Sequence, residues 1–258
     1  MRVHVPILAY HKISNKHEWG ITSVRIRQFE SQVRYLSQQN YQTISLERYI
    51  TGDYKSSRQQ PLIIITFDDA DESVYHHAFP ILKAHGFTAT LFVITDFVGK
   101  NNSWDANLGG RCSRHLEWKQ IKALVKEGWE IGSHTATHPD LVRLPSDQAE
   151  TELRQSKEFI SRQIDQPVRF LSYPFNRFEQ RIISLAKQTG YAGCCALSVP
   201  ENLRKQHGDL AIPRQGVYLI DTLYGFQRKL SNSRVEQLKQ RVISFASLGT
   251  IFYKRLRK

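Results

Sequence analysis

The chain has 258 residues, 40% of them hydrophobic, 23% charged and 11% aromatic, a balance that excludes disordered, collagenous and disulfide-framework classes and suits one unit with a sizeable core. Lys and Arg number 36 against 24 Asp and Glu, a formal charge of +12, which favours anionic partners or surfaces at long range without defining any chemistry. Three cysteines (Cys112, Cys194 and Cys195) are too few and odd in number for a disulfide scaffold, and no stretch approaches the roughly 18 apolar residues of a membrane span.

In chain order, short apolar runs predict strands near residues 3–10, 62–67, 88–94, 129–133, 168–172 and 191–197, mostly continuous rather than alternating, as in parallel strands buried on both faces. Between them, Phe29, Val33 and Leu36 stand at helical spacing. Further helices are predicted over 74–85, through Trp118, Ile121, Leu124 and Val125 to a stop at Gly128, and over 146–164 and 178–189. No linker, repeat or low-complexity tract divides the chain. The alternation predicts an α/β fold, and periodicity leaves a barrel and a doubly wound sheet both open.

Cys194 and Cys195 lie in an apolar run and read as small core residues rather than a redox or metal pair. His76 and His77 read as part of the helix over 74–85. From Ser231 the pattern is helical to about Ala246 and ends in the basic Lys254-Arg255-Leu256-Arg257-Lys258, a solvated tail with weak attachment to anionic lipid as its alternative. No nucleic-acid-binding module is recognisable despite the charge. The apolar run in Met1 to Tyr10 is too short for a secretion signal, so the expectation is a soluble cytoplasmic chain, or an extracytoplasmic one exported by another route.

Four polar clusters each follow a predicted strand: Tyr10-His11, Asp68-Asp69, His134 to His138, and Tyr173-Pro174-Phe175. In an α/β barrel such positions converge on one open face. In Thr66-Phe67-Asp68-Asp69-Ala70, adjacent side chains of an extended backbone point to opposite sides, so two carboxylates can serve two tasks, one on a metal and one on a proton. The alternative is that Asp68, Asp69 or Asp71 caps the helix starting near Ser73. His134 and His138, four apart before Pro139, can converge on one cation if the segment turns, or be ordinary surface or core histidines. Two His with one carboxylate leave a coordination position open, as in a catalytic zinc site.

These runs, with Ser172-Tyr173-Pro174-Phe175, resemble the first three motifs of the polysaccharide deacetylases, the NodB-homology or carbohydrate esterase family 4 enzymes. The match spans about residues 5–215. The opening Ile7-Leu8-Ala9-Tyr10-His11 resembles the circularly permuted subgroup that deacetylates poly-N-acetylglucosamine. The resemblance implies a distorted (β/α)7 barrel, with residues 1–230 as a single catalytic domain and 231–258 as a C-terminal helix and basic tail. It also implies metal-dependent hydrolysis of N-acetyl groups on N-acetylglucosamine-containing glycans.

By the same resemblance Asp69, His134 and His138 are the metal ligands, with zinc the expected divalent ion. Asp68 is the general base, and His11 the general acid that protonates the leaving amine. Pro174-Phe175 carries a backbone amide for the oxyanion, with Tyr173 in the same motif, and Arg214 pairs with the base. Trp104, in the Gly/Asn-rich stretch 99–110, is the expected substrate-loop aromatic, ahead of Trp19 and of Trp118, which sits at core spacing. Ala70 and Asn176 stand where the family commonly has Gly. Ala70 is tolerated at negative φ and strained at positive φ, whereas Asn176 accepts the left-handed region. The rival functions are hydrolysis of a small non-sugar amide on the same fold, and a silent glycan- or membrane-binding protein.

Overall fold

A computed structural model describes residues 5–16, 21–54, 60–103 and 113–231, with positions 236 and 239. Its strands are β1 (Ile7–Tyr10), β2 (Lys12–Ile13), β3 (Ser23–Val24), β4 (Gln42–Thr43), β5 (Leu62–Phe67), β6 (Thr90–Val93), β7 (Glu130–Ser133), β8 (Phe170–Ser172), β9 (Gly193–Ala196), β10 (Ile212–Pro213) and β11 (Gln215–Gly216). Every strand pair is parallel. The main sheet runs β10-β9-β8-β7-β6-β5-β1-β11, with β4 added to β5, while β2 and β3 form a separate pair.

Arg214 alone separates β10 from β11. The first half of this extended segment pairs with β9 and the second half with β1, so the sheet closes on itself as a barrel of seven staves. The doubly wound alternative is thereby removed. The six predicted strands are all present: 62–67 keeps its bounds and the others are shorter than predicted, with residues 3 and 4 outside the described residues. The closing segment was not predicted, because Pro213, Arg214 and Gln215 interrupt any apolar run.

The helices are α1 (Ile26–Gln38), α2 (Leu46–Thr51), α3 (Phe79–Ala84), α4 (Trp118–Lys126), α5 (Ser146–Ile164), α6 (Gln180–Gln188), α7 (Glu201–His207) and α8 (Leu223–Leu230). Each long helix buries one stripe against the sheet: Phe29, Val33 and Leu36 on α1, Ile121 and Leu124 on α4, Ile182, Ile183 and Ala186 on α6. Gly128 ends the α4 segment at φ 81°, as its position predicts. The helix predicted over 74–85 begins as a π turn, Val74–Ala78, that contains His76 and His77. Pro80, at the start of α3, has no N–H to donate back to residue 76, and the ladder slips there. No helix among the described residues is long and apolar enough to cross a membrane.

Alternate residues on each stave serve two cores. Outward residues such as Leu8, Ile65, Leu91, Leu171 and Cys194 pack under the helices. Inside the barrel, Ile7, Ile64, Phe92, Phe170, Cys195 and Ile212 contribute one side chain from each of six staves. The seventh, β7, places Gly132 opposite Phe92 in register. A Cβ there would lie 2.5 Å from the Phe92 ring, so glycine makes room for the aromatic. Cys194 and Cys195 therefore point to opposite faces, both free and buried, and burial pushes the Cys195 thiol up to about 12. They are core residues, as expected. Trp118 packs partly buried against the outer core.

Candidate active site

Two residues further along the same staves the interior turns from apolar to polar, because period two keeps the side chains on one face. Ile64 leads to Thr66 and Asp68, Phe170 to Ser172, and Ile212 to Arg214. Arg214 is 2% exposed. Its Nη1 donates to Thr66 Oγ1 and to Asp68 Oδ1, each at 2.8 Å, and its Nη2 donates to Asp68 Oδ2 and Ser172 Oγ, each at 2.7 Å. Beneath it lies the Phe92 ring, 5.2 Å from Cζ. Burial alone raises the Asp68 pKa. The positive charges of Arg214 and His134 and the Arg214 hydrogen bonds outweigh burial and bring it down to about 2.

After Asp68 the chain leaves the strand through two left-handed residues, Asp69 at φ 69° and Ala70 at φ 55°. The second carboxylate thereby swings toward β7 and β8. Ala70 adopts the positive φ at which its Cβ is strained, and the turn is held from outside. His115 Nδ1 lies 2.7 Å from the Asp69 carbonyl oxygen, and the Leu116 N–H donates to the Ala70 carbonyl at 2.8 Å. Asp71 takes the capping task, accepting from the Ser73 N–H at 2.9 Å. The capping alternative thus holds for Asp71, while Asp68 and Asp69 face the barrel mouth.

His134 follows β7 directly, and its Nδ1 donates to the Ser172 carbonyl at 2.7 Å. That bond turns Nε2 toward Asp69. His134 Nε2 stands 3.4 Å and His138 Nε2 3.8 Å from Asp69 Oδ1. Burial opposes protonation of His134, yet the Asp69 and Asp68 carboxylates raise its pKa. Burial likewise opposes ionisation of Asp69, and the histidines hold its carboxyl far below the usual range.

The donor atoms of Asp69, His134 and His138 all lie within 4.8 Å of one another. Two ligand atoms about 2.1 Å from a tetrahedral zinc stand about 3.4 Å apart. The observed spacing fits that demand, and Asp69 Oδ1 is buried without a well-formed hydrogen bond. The residues present therefore fit a divalent ion with at least one open position.

His11 leaves β1 beside Asp68, because Tyr10 pairs in register with Phe67 and the Asp68 N–H donates to the Tyr10 carbonyl at 2.9 Å. It is half-buried, its Nδ1 has no hydrogen-bond partner among the described residues, and its charge helps depress both Asp68 and Asp69. Phe175 packs edge-on against His138 at 4.4 Å between ring centroids. Both Phe175 (φ 55°) and Asn176 (φ 56°) are left-handed. Asn176 suits that geometry and uses it, its Oδ1 accepting from the Leu197 and Ser198 N–H groups at 2.6 and 3.1 Å.

Tyr173 requires a correction. Its side chain is 2% exposed, stacks on Phe178 and donates its hydroxyl to the Leu210 carbonyl at 3.1 Å, so it packs in the core rather than facing a substrate. Pro174 is buried beside it. Trp104, Trp19, Cys112 and the basic tail lie outside the described residues.

Sequence reasoning missed His115 and gave Thr66 and Ser172 no task. Thr66 and Ser172 lie inside quoted motifs, and their shared parity with Asp68 and Arg214 was the available signal. His115 belongs to no motif and reaches the site only through the fold.

The sequence profile described as polysaccharide deacetylase matches residues 55–194. The YxkH protein of Bacillus subtilis (strain 168) is 30% identical over 190 residues, 72% of this chain and 62% of that protein. The poly-β-1,6-N-acetyl-D-glucosamine N-deacetylase of Staphylococcus epidermidis is 28% identical over 187 residues, 69% of this chain and 62% of that enzyme. The chain thus spans less than two thirds of the length of either relative. Among solved structures, the Streptococcus pyogenes deacetylase PplD in complex with acetate superposes with a TM-score of 0.75 at 23% identity, covering 89% of this chain and 99% of that one, a likeness of fold.

Proposed function

The chain belongs to the polysaccharide deacetylase family, and from that premise we propose that it hydrolyses N-acetyl groups on N-acetylglucosamine-containing glycans, releasing acetate and leaving a free amine. The observation that carries this reading is the juxtaposition of a buried, ionised Asp68 with the Asp69, His134 and His138 donor set.

Asp69, His134 and His138 would hold a divalent ion, proposed as zinc, which when bound supplies Lewis-acid polarisation of the acetyl carbonyl and acidifies water. Asp68 acts as general base. Arg214 orients its carboxylate and keeps it ionised; Oδ2 accepts from both Arg214 and the Ser172 hydroxyl, and Oδ1, which accepts from Arg214 Nη1, retains a lone pair for the proton of the attacking water. His11, on the neighbouring stave, delivers a proton to the amine nitrogen, which leaves only when protonated. The peptide N–H after Pro174, set by the left-handed turn at Phe175, faces the developing oxyanion.

The experiment is metal content by elemental analysis together with acetate release from N-acetylglucosamine oligomers, on wild type and Asp68→Asn. Bound zinc with acetate release that depends on Asp68 supports the reading. Metal without acetate release points to another amide or a silent site, and no metal at all overturns it.

A further inference from the structure

The segment carrying both candidate metal-ligating histidines is held in an unusual shape. Thr135 sits at φ 68° and His138 at φ 58°, a conformation that non-glycine residues keep only when their surroundings impose it. The Thr135 hydroxyl accepts from the His138 N–H at 3.0 Å and the Asp96 N–H donates to the Ala136 carbonyl at 3.0 Å, and α5 adds a further constraint. Glu152 Oε2 accepts from the Ala136 N–H at 2.8 Å and the Thr137 N–H at 2.9 Å, and Glu152 Oε1 accepts from Thr137 Oγ1 at 2.6 Å. One helical turn on, Ser156 Oγ lies 2.8 Å from Ser133 Oγ, which accepts the Thr135 N–H at 3.1 Å. Glu152 and Ser156 stand four apart on one face of the helix, so α5 grips the start and the middle of the turn together. The helix is itself fixed through buried Ala149, Leu153, Ser156 and Ile160.

We propose that Glu152 is a positioning residue of the candidate metal centre: by fixing the peptide N–H groups of Ala136 and Thr137 it makes the chain double back and sets the separation of the His134 and His138 imidazoles. It acts through the backbone and is not itself a ligand. A carboxylate suits the task because the three groups it meets all present a proton, and charge-assisted bonds to backbone N–H are strong. A glutamine in its place keeps the acceptor for both N–H groups, and its NH2 can donate to the Thr137 hydroxyl, which then accepts.

The proposal rests on the metal-centre reading above. Its test uses the full chain as E152A and E152Q, with zinc affinity measured by competition against a chromogenic chelator. The absorption spectrum of the cobalt-substituted protein and the thermal midpoint are recorded alongside. E152A is expected to weaken zinc binding roughly 10- to 100-fold, the usual cost of losing an outer partner of a metal site, and to shift the cobalt bands, with E152Q restoring both. A merely structural role lowers the thermal midpoint and moves neither metal readout. Zinc affinity and cobalt bands unchanged in E152A overturn the proposal. If E152A does not fold, E152D keeps the charge but falls short by one methylene, and unchanged metal readouts in it overturn the proposal equally. Wild type that binds metal yet releases no acetate removes the deacetylase reading and leaves the Glu152 test intact. Wild type that binds no divalent ion removes both.

Discussion

Arg214 and Asp68 meet in a two-pronged ion pair across 146 residues of sequence, Nη1 standing 2.8 Å from Oδ1 and Nη2 2.7 Å from Oδ2. Both partners are buried, so each makes the other tolerable. The pair also fixes the orientation of the carboxylate to which the proton transfer is assigned.

Removing Arg214 tests that dependence through pH. With a folded pKa of about 2 against an ordinary 3.8, Asp68 contributes about 2 kcal/mol of stability at neutral pH. That contribution is complete above about pH 4 and is lost as pH falls toward 2. In Arg214→Met burial is opposed only by the charges of His134 and His11, so the pKa rises and the contribution shrinks. The metal-free variant should lose about 3–5 kcal/mol at pH 7, with a smaller deficit at pH 4. Urea unfolding at the two pH values checks this, and a deficit independent of pH contradicts it.

The two adjacent carboxylates should separate by substitution. Asp68→Asn is expected to retain zinc while acetate release falls by at least about 100-fold, the scale of one general base. Asp69→Ala, His134→Ala and His138→Ala should each lose metal. Elemental analysis of all four variants decides, and equal metal loss across them undoes the division of roles.

His11→Ala discriminates by leaving group. Amide hydrolysis should slow about 100-fold or more, while acetyl esters with good leaving groups, which need no proton, change much less. Equal slowing of both substrate classes, measured in one buffer, removes His11 as the acid.

Gly132 connects packing to chemistry. A Cβ at this position meets the Phe92 ring at 2.5 Å, and that ring lies 5.2 Å below the Arg214 guanidinium. Gly132→Ala should therefore cost about 1–3 kcal/mol of stability and lower kcat by disturbing Arg214. Adding Phe92→Leu should recover part of both. Thermal unfolding and kinetics on the single and double variants provide the check.

Much of this arrangement was legible in the sequence, for physical reasons. Staves such as Leu62–Phe67 are buried on both faces and must be apolar throughout, and the groups at their carboxyl ends stand out as polar breaks after apolar runs. What escaped depends on contacts that no local pattern encodes. Glu152 reads as an ordinary helix-surface acid until α5 docks beside the histidine turn. His115 reaches Asp69 only through a carbonyl oxygen. Tyr173 lies inside a quoted motif, yet its ring follows the outward parity of its strand into the core. Among 36 basic residues, Arg214 was singled out by the family resemblance alone, since no local pattern announces that the barrel buries it beside Asp68.

The closing segment makes the order of assembly matter. Leu8 pairs with Gln215, and Arg214 sits at the seam between the two halves of that segment. While the chain emerges from the ribosome, β1 and β9 present open edges until the last stave arrives, and Asp68 lacks its guanidinium partner. Sealing the barrel and arming the carboxylate are one event, so a nascent or truncated chain that stops short of residue 214 is left both adhesive and inert.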